Sequence, residues 1–354
     1  MGRRALHQVV VGAAPGDAIT DHALLLRGWL REAGFRSEIF AQSVAPALAG
    51  EVRTYLGYRP SARDELVILH HSIGADVVDA LLALDVRLVL IYHNVTPAAF
   101  LRGVDPGLSV QLERGRAQLA RLRESTVLAL ADSPYNEAEL RQAGYAPTGV
   151  LPIALDEARY HVPLDEKLLA RYGSGGPNLL FVGRLLPHKC QEDLVRLLYY
   201  YRRVEPRAAL WLVGSPWVPA YAEWLAELAE ELGVRDGVTF AGHVSQSELV
   251  TYYRLAHLYV SMSEHEGFGK PLVESMVLGL PVLAYAVAAV PDTLGGSGVL
   301  FHCKDYEALA EWVDVLVKDE GLRARIVARQ RERAESFLAP AVRQTWQRLL
   351  EGIV

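Results

Sequence analysis

The chain has 354 residues, enough for about two domains at roughly 150 residues each. Its 36 Lys and Arg against 42 Asp and Glu give a formal net charge of −6, which excludes a generally basic nucleic-acid-binding surface. A hydrophobic fraction of 51% excludes intrinsic disorder, and two cysteines, Cys190 and Cys303, exclude a disulfide framework and a zinc knuckle. We therefore expect a globular, cytoplasmic protein that does not bind nucleic acid.

The sequence is expected to lack a targeting peptide and a membrane-spanning helix. The apolar run Val9–Val11 ends at Gly12 and is too short for a signal peptide. The longest uncharged stretch, residues 275–291, is interrupted by Gly279 and Pro281. A spanning helix needs about 20 continuous apolar residues, so this stretch is interpreted as a helix end followed by a buried strand.

Short apolar segments alternate with longer amphipathic segments along the whole chain. In the first half the predicted strands are His7–Val11, Arg36–Ala41, Leu66–His70, Arg87–Tyr92, Leu128–Ala131 and Thr148–Leu151. The predicted helices between them are Ile19–Ala33, Ala75–Leu84, Gln111–Glu124 and Asn136–Ala143. In the second half the predicted strands are Asn178–Val182, Ala209–Val213, Val238–Ala241, Leu258–Ser261, Val282–Ala284 and Gly298–Leu300. The predicted helices there are Glu192–Val204, Ala220–Leu232, Gln246–Ala256, Leu272–Leu278, Tyr306–Lys318 and Gly321–Arg333.

Apolar strands joined by helical crossovers are typical of parallel sheets that are covered by helices on both faces. Since such crossovers are right-handed, each half is predicted to be a doubly wound, Rossmann-like α/β domain. Prolines and the glycine-rich stretch 172–176 punctuate the middle of the chain, which predicts domains over 1–172 and 173–338. We expect the two sheets to face each other across a cleft, because ligands of open α/β sheets bind beyond the carboxyl ends of strands.

A glycine-rich segment, Ser263–Glu274 (SEHEGFGKPLVE), follows a predicted strand and opens a helix. Gly267 and Gly269 allow the backbone to approach a ligand, and the free N–H groups at the helix start can bind an anion. Glu266 and Glu274 beside such an anion site suit neutral hydroxyl groups, which donate hydrogen bonds to carboxylates. The alternative is a structural turn in which Glu274 serves as a favourable first-turn acid.

A second segment, Phe181–Lys189 (FVGRLLPHK), also follows a predicted strand, which ends at Gly183. Arg184 offers a guanidinium fork for phosphate oxygens, and Lys189 offers a mobile point charge. The alternative is a pair of solvated basic side chains on a strand–helix loop. Since both segments follow strands of one predicted sheet, we expect their charged groups at the same edge, which favours a phosphate site.

Together, the motifs FVGRLLPHK and EGFGKPLVE resemble those of the retaining, nucleotide-sugar-dependent glycosyltransferases of family four, which have the GT-B fold. The resemblance covers essentially the whole chain and is most specific in residues 178–300. It implies an acceptor-side domain over 1–172 and a donor-binding domain over 173–338. It also implies that the final segment, 339–354, is a helix that crosses back to the N-terminal domain.

The resemblance implies roles for individual residues. Arg184 and Lys189 match the pair that binds the donor diphosphate. Glu274 matches the acid that binds the ribose hydroxyls, and Glu266 matches the acid that contacts the donor sugar. His93, at the end of a predicted strand, matches the histidine near the transferred sugar, with a buried core histidine as the alternative. The implied catalytic residues are His93, Arg184, Lys189 and Glu266. His243 and Val244 match the segment that flanks the base of the donor. The full implied donor-binding set is Gly16, Gly183, Arg184, Lys189, Gly214, His243, Val244, Glu266, Gly267, Phe268, Gly269, Leu272 and Glu274.

Other features are interpreted as structural or depart from the family pattern. His70 and His71, at a strand end, are expected to be structural. Cys190 stands where the family often has glycine after the lysine, and it is expected to be tolerated and not catalytic. The basic stretch Leu112–Arg123 is interpreted as a solvated helix face, with contact to an anionic membrane surface or a lipid-diphosphate acceptor as the alternative. The first glycine-rich loop has Gly16-Asp17 in place of a frequent glycine pair, so the acceptor side is not defined.

No Asp-x-Asp follows a strand, no G-x-G-x-x-G follows the first strand, and no His/Cys cluster has metal spacing. We therefore expect no metal and no cofactor besides the nucleotide diphosphate-sugar co-substrate. The expected activity is retaining hexosyl transfer to a hydroxyl of a carbohydrate, glycolipid or small-molecule acceptor. The alternatives are a GT-B-fold epimerase or phosphorylase, and a catalytically silent paralogue that binds nucleotide sugars.

Overall fold

The computed structural model describes residues 4–60, 66–84, 86–173 and 175–353. The chain divides into two compact units, Met1–Leu155 with Phe337–Val354 and Asp156–Ser336. Each unit is built on a parallel sheet with helices, so the predicted α/β class with two Rossmann-like units is confirmed. Ser174 of the predicted glycine-rich stretch lies outside the described residues.

In the first unit, the described strands pair in parallel in the order β3-β2-β1-β4-β5-β6-β7. The strands are β1 His7–Ala13, β2 Ile39–Val44, β3 Val52–Thr54, β4 Leu66–His71, β5 Arg87–Tyr92, β6 Thr126–Ala131 and β7 Thr148–Val150. The helices of this unit are α1 Ala18–Glu32, α2 Asp76–Leu82, α3 Pro106–Leu122, α4 Pro134–Gln142 and α13 Ala339–Glu351. The last helix joins the core of the first unit, because Trp346 packs in one buried cluster with Leu30 of α1 and Ile91 of β5.

In the second unit, the described strands pair in parallel in the order β10-β9-β8-β11-β12-β13. The strands are β8 Asn178–Val182, β9 Ala209–Val213, β10 Val238–Gly242, β11 Leu258–Ser261, β12 Val282–Tyr285 and β13 Val299–Phe301. The helices are α5 Glu166–Tyr172, α6 Gln191–Tyr201, α7 Pro219–Glu231, α8 Gln246–Leu255, α9 Lys270–Leu278, α10 Val290–Leu294, α11 Tyr306–Lys318 and α12 Glu320–Ala334. Central strands such as β8 and β9 are almost wholly buried, which explains why they are mainly apolar and do not alternate.

The structure differs from the predicted elements mainly at short segments. Strand β2 begins at Ile39 and not at Arg36, because Arg36 makes only an isolated bridge with Ala5. The units divide between Leu155 and Asp156, whereas the predicted boundary lies after residue 172. Helix α5 belongs to the second unit, where the ring of its last residue, Tyr172, lies 4.9 Å from that of Trp211. Within the described part of the chain, no helix combines the length and the apolar character of a membrane span.

Candidate functional site

The two motifs of the second unit meet at the point where the strand order of its sheet reverses. Strand β8 is the neighbour of β9 on one side and of β11 on the other, with Leu179 opposite Leu258. The loop 183–190 follows β8, and the loop 262–269 follows β11. Ligands of open α/β sheets bind outside the carboxyl ends of strands at such a switch point. The sheet therefore brings the predicted phosphate-binding segments together.

Glycines hold the adjacent strand ends in close backbone contact. A Cβ atom on Gly214 would lie 2.0 Å from the carbonyl oxygen of Gly183, so no other residue fits there without a shift of the chain. The N–H of Gly183 donates to Val213 (2.9 Å), and the N–H of Gly214 donates to Gly242 (2.9 Å). The predicted residues Gly183 and Gly214 thus form the floor of the site, from which Arg184 projects.

Arg184 is exposed at this edge and lies over an aromatic ring. Its guanidinium carbon is 4.3 Å from the ring centre of Trp217, which follows β9 and is 47% exposed. The Arg184 carbonyl accepts a hydrogen bond from Gln191 Nε2 (3.0 Å), which ties the loop to the start of α6. Trp217 was not predicted as a site residue, although a tryptophan just beyond a strand-end glycine is a signal that could have identified it.

The closest link between the two motifs is an ion pair. Lys189 Nζ lies 2.7 Å from Glu266 Oε1, and the two side chains are only 18% and 14% exposed. The backbone adds a second link, since the N–H of Glu264 donates to the carbonyl of His188 (2.8 Å). The cation and the acid that were predicted to contact different parts of a donor are therefore each other's partner in this structure.

Helix α9 begins at Lys270, two residues before the predicted start at Leu272. Gly269 precedes it with φ 82°, a left-handed conformation that favours glycine, and a Cβ atom there would approach Leu272 Cδ1 to 2.8 Å. The preceding loop is held by Thr293, whose hydroxyl donates to the Phe268 carbonyl (2.6 Å). The predicted backbone loop thus ends in an ordered helix N-terminus, as an anion site requires.

Glu274 is buried, with 3% of its surface exposed, and its carboxylate already has partners. Tyr160 donates to Oε1 (2.8 Å), Tyr253 donates to Oε2 (2.8 Å), and Lys270 Nζ lies 3.5 Å from Oε1. The first turn of α9 contains no acid, so the suggestion that Glu274 is a first-turn acid is wrong. The tyrosines are distant in sequence, and no local signal indicated them.

The remaining predicted donor-binding residues lie at different places. Leu272 is buried in α9, and Gly267 is half-buried in the loop before it. After strand β10, His243 is exposed and Val244 is half-buried, beside Gly242 with φ 67°. Gly16 belongs to the first unit, where it is exposed between β1 and α1 with φ 77°.

His93 follows β5 in the first unit and is held by two polar side chains. Its Nε2 lies 3.0 Å from His70 Nδ1, and its Nδ1 lies 3.2 Å from Asp132 Oδ2. Burial lowers the pKa of His70 well below its usual value, and the nearby His93 and His22 lower it further. Burial also raises the pKa of Asp132, against the opposite effect of its hydrogen bond with His93. His70, predicted to be structural, is thus a direct partner of His93.

Two further predictions concern Cys190 and the basic stretch. Cys190 is buried in a left-handed conformation with φ 51°, which explains why glycine suits this position, and burial raises the pKa of its thiol to about 12. In the basic stretch, Arg114 pairs with Asp76 (2.6 Å), and Arg114 and Arg121 both pair with Asp79 (2.7 Å each). Much of the charge of this stretch is therefore offset by acids on α2.

The part of the chain that the structure describes contains no group of three or more His, Cys, Asp and Glu side chains that could hold a metal ion.

Comparisons with known proteins agree with this architecture. Residues 171–333 match the family described as Glycosyl transferases group 1. A D-inositol 3-phosphate glycosyltransferase of Stackebrandtia nassauensis is 34% identical over 201 residues, or 53% of this chain and 44% of that protein. The enzyme of the same name from Nocardia farcinica is 31% identical over 268 residues, or 73% of this chain and 58% of that protein. The chain therefore spans about half the length of these two relatives.

Solved structures resemble the whole chain. HepE of Anabaena, crystallised with UDP and glucose, has a TM-score of 0.79 at 18% identity and covers 99% of this chain and 100% of its own. Sucrose-phosphate synthase of Thermosynechococcus elongatus has a TM-score of 0.78 at 20% identity and covers 99% of both chains. At these identities the likeness concerns the fold. Taken together, these findings show that residues 171–333 belong to the group 1 glycosyltransferase family and that the chain has the GT-B fold.

Proposed function

We propose that this protein transfers a hexosyl group from a nucleotide diphosphate-sugar to an acceptor hydroxyl, with retention of anomeric configuration. The observation that carries the proposal is the meeting of the two motifs at the switch point of the second unit, where Lys189 contacts Glu266. The relatives named for transfer to D-inositol 3-phosphate, and the HepE structure with UDP, support a nucleotide-sugar donor and a polyol or carbohydrate acceptor.

The roles assigned to the cationic residues follow from electrostatics. When the donor bond breaks, negative charge develops on the departing diphosphate, and pre-positioned cations stabilise it most where water is scarce. Arg184 can bind two phosphate oxygens through its planar fork, and Lys189 adds a second positive charge. The start of α9 supplies backbone N–H groups to the same anion.

The ion pair between Lys189 and Glu266 suggests how the site accepts its donor. A bound diphosphate would replace the carboxylate as the partner of Lys189, while the hydroxyls of the donor sugar would replace the ammonium as partners of Glu266. The complete donor therefore compensates both ends of the broken pair. A bare nucleotide diphosphate compensates only Lys189 and leaves a half-buried carboxylate with fewer partners.

We propose that His93 also contacts the transferred sugar and that Glu274 binds the ribose hydroxyls. Each carboxylate oxygen can accept two hydrogen bonds, and among the described residues Tyr253 supplies one to Glu274 Oε2, so we propose that a ribose hydroxyl supplies the second. A ribose hydroxyl at that position would be bound through one oxygen. We further propose that no metal takes part, because Arg184 and Lys189 supply the positive charge that a metal would otherwise supply.

The proposed setting is the cytoplasm, where free thiols such as that of the exposed Cys303 persist. Peripheral contact with the inner membrane surface is also part of the proposal for lipid-linked acceptors. It depends on the arginines of α3, and their pairing with Asp76 and Asp79 reduces the positive charge that an anionic surface would meet.

A thermal-shift screen with UDP, GDP and ADP tests donor binding. A ligand that binds only the native state raises the unfolding free energy by about 2.7 kcal/mol at 100 times its Kd, so the cognate nucleotide should raise Tm by several degrees. Arg184→Ala should abolish most of this shift. Arg203→Ala is the matched control, since Arg203 also lies over an aromatic ring, that of Tyr199 at 4.6 Å, but follows the far end of α6.

Product analysis then separates transfer from the alternatives. Incubation with the nucleotide sugar that matches the strongest shift, and with a mixture of polyol and carbohydrate acceptors, should release the nucleotide and give a glycoside of retained configuration. An inverted glycoside, an epimerised nucleotide sugar, or binding without turnover would contradict the proposed function.

A further inference from the structure

The first unit contains a continuous chain of buried polar side chains that no motif indicated. Gln8 Oε1 lies 3.0 Å from His70 Nε2, and His70 Nδ1 lies 3.0 Å from His93 Nε2. His93 Nδ1 lies 3.2 Å from Asp132 Oδ2, and the other oxygen of Asp132 accepts from Asn136. Gln8, His70 and Asp132 are each at most 2% exposed. This chain of side chains joins residues of β1, β4 and α4 with the residues that directly follow β5 and β6.

The direction of the hydrogen bonds in this chain can be derived from its first member. The amide nitrogen of Gln8 donates to the carbonyl of Ala23 (3.0 Å), so Oε1 is the atom that faces His70 and accepts a hydrogen bond from its Nε2. His70 therefore carries its hydrogen on Nε2. Since burial keeps His70 neutral, its Nδ1 has a lone pair and accepts from His93.

This sequence of donors places a hydrogen on His93 Nε2, which donates to His70 Nδ1. The second hydrogen bond of the ring joins its Nδ1 to Asp132 Oδ2. The imidazole rings of His70 and His93 are within 4° of parallel, with their centres 5.3 Å apart, so the ring plane of His93 is fixed as well. Both nitrogens of His93 are thus occupied by groups of its own unit.

We propose that Asp132 and His70 are positioning residues that set the orientation and the protonation of His93 for sugar transfer. The proposal rests on the proposed function, because it assigns a purpose to the partners of a residue that acts on the donor sugar. A sugar hydroxyl that binds a nitrogen of His93 has to compete with one of these partners. The two hydrogen bonds therefore determine which nitrogen His93 can offer and whether it donates or accepts.

The alternative is that this series of hydrogen-bonded side chains only satisfies buried polar groups. A second buried histidine offers a matched control. His71 is fully buried at the next position of β4. Its Nε2 bonds the carbonyl of Gly115 (2.9 Å), which is not part of the hydrogen-bonded series from Gln8 to Asn136. His71→Gln removes a buried imidazole at a similar cost to packing. It should lower Tm while leaving kcat near that of the unmodified protein.

Asp132→Asn is the principal variant, because it keeps the size of the side chain and removes the charge. Its amide can donate to His93 Nδ1, which would then become an acceptor. We expect kcat to fall about 5- to 13-fold, because a hydrogen bond between neutral groups replaces one to a charged group, with KM for the donor changed less than about twofold. A wild-type kcat in Asp132→Asn, or an equal loss of kcat in His71→Gln, would refute the positioning role.

Nuclear magnetic resonance of protein labelled with ¹⁵N-histidine tests the same proposal without activity. In the unmodified protein the His70 Nδ1 signal should be that of an unprotonated nitrogen, and His70 Nε2 and His93 Nε2 should both be protonated. In Asp132→Asn the His93 Nδ1 signal should shift to that of an unprotonated nitrogen. A protonated His70 Nδ1, or no change at His93 in the variant, would overturn the assignment. Absence of transfer by the unmodified protein would instead contradict the proposed function.

Discussion

Glu266 and Glu274 both belong to the glycine-rich motif, yet the structure predicts opposite effects when their charges are removed. Glu266 is paired with Lys189, so a diphosphate that binds Lys189 has to displace this carboxylate. Glu266→Gln removes the competitor. A partly buried ion pair contributes on the order of 1 kcal/mol, so the variant should bind the bare nucleotide diphosphate about fivefold more tightly, while transfer falls sharply.

Removal of the charge of Glu274 should weaken binding of the bare nucleotide diphosphate. A hydrogen bond to a charged group contributes about 1.5–3 kcal/mol and one between neutral groups about 0.5–1.5 kcal/mol, a difference of about 1–1.5 kcal/mol. Glu274→Gln should therefore weaken binding of the bare nucleotide by about 5- to 13-fold. The glutamine also keeps both tyrosines bonded, since its amide oxygen accepts from one hydroxyl and its amide nitrogen donates to the other.

The choice of glutamine is important at position 274. Glu274→Ala would leave the hydroxyls of Tyr160 and Tyr253 buried without their acceptor, at about 1–3 kcal/mol each. The sum, about 2–6 kcal/mol, is a large part of the 5–15 kcal/mol by which domains are commonly stable. Such a variant would report unfolding and not ribose binding.

Isothermal titration of both variants with the cognate nucleotide diphosphate measures these effects, after Tm has shown that both are folded. Tighter binding in Glu266→Gln together with weaker binding in Glu274→Gln is the expected pattern. Equal weakening in both variants would refute the separate roles, and would mean that the two acids only shape the loop. Unchanged binding in Glu274→Gln would remove the ribose from its proposed position.

Three further outcomes are expected. Transfer should survive excess EDTA, since Arg184 and Lys189 supply the positive charge; loss of activity that Mg²⁺ or Mn²⁺ restores would contradict this. His93→Ala should lower turnover far more than nucleotide affinity, and normal turnover would make His93 a core histidine. Burial lowers the pKa of His22 to about 3 and that of His71 to about 4, so the unfolded chain takes up protons that the native state excludes. Stability should therefore fall as the pH decreases below about 6.5, by about 2 kcal/mol for each of these histidines at pH 5, and denaturant titrations that give equal stability at pH 7 and pH 5 would exclude this effect.

The sequence was sufficient to predict the two motifs and every described sheet strand except β3, Val52–Thr54. Asn178–Val182, Ala209–Val213 and Leu258–Ser261 have the predicted bounds, because strands buried on both faces are apolar along most of their length and end abruptly at glycine or polar residues. The motif residues lie directly after such strands. Since parallel strands present their carboxyl ends at one edge, the position of a residue after a strand already determines where it lies in the unit.

The contacts between distant residues could not be predicted in the same way. Tyr160 and Glu274 are 114 residues apart, and a tyrosine in a 3-10 helix of one turn has no periodic or motif signal. Asp132 and His70 lie 39 and 23 residues from His93, respectively, and a single aspartate after a strand is common. The basic residues of α3 look solvated in the sequence because their partners, Asp76 and Asp79, belong to a different helix. In each case the two side chains meet because whole helices and strands pack together, and the local sequence pattern does not determine this packing.

The ion pair between Lys189 and Glu266 also bears on how a product would leave. After transfer, the nucleotide diphosphate no longer carries the sugar whose hydroxyls compensated Glu266. The carboxylate, 14% exposed, then has fewer partners while Lys189 is held by the diphosphate. Re-forming the 2.7 Å pair relieves this cost and removes one cation from the diphosphate. With the proposed roles, the donor opens the ion pair between Lys189 and Glu266 when it binds, and re-formation of this pair weakens binding of the nucleotide product. Glu266→Gln should therefore release its nucleotide more slowly than the unmodified protein.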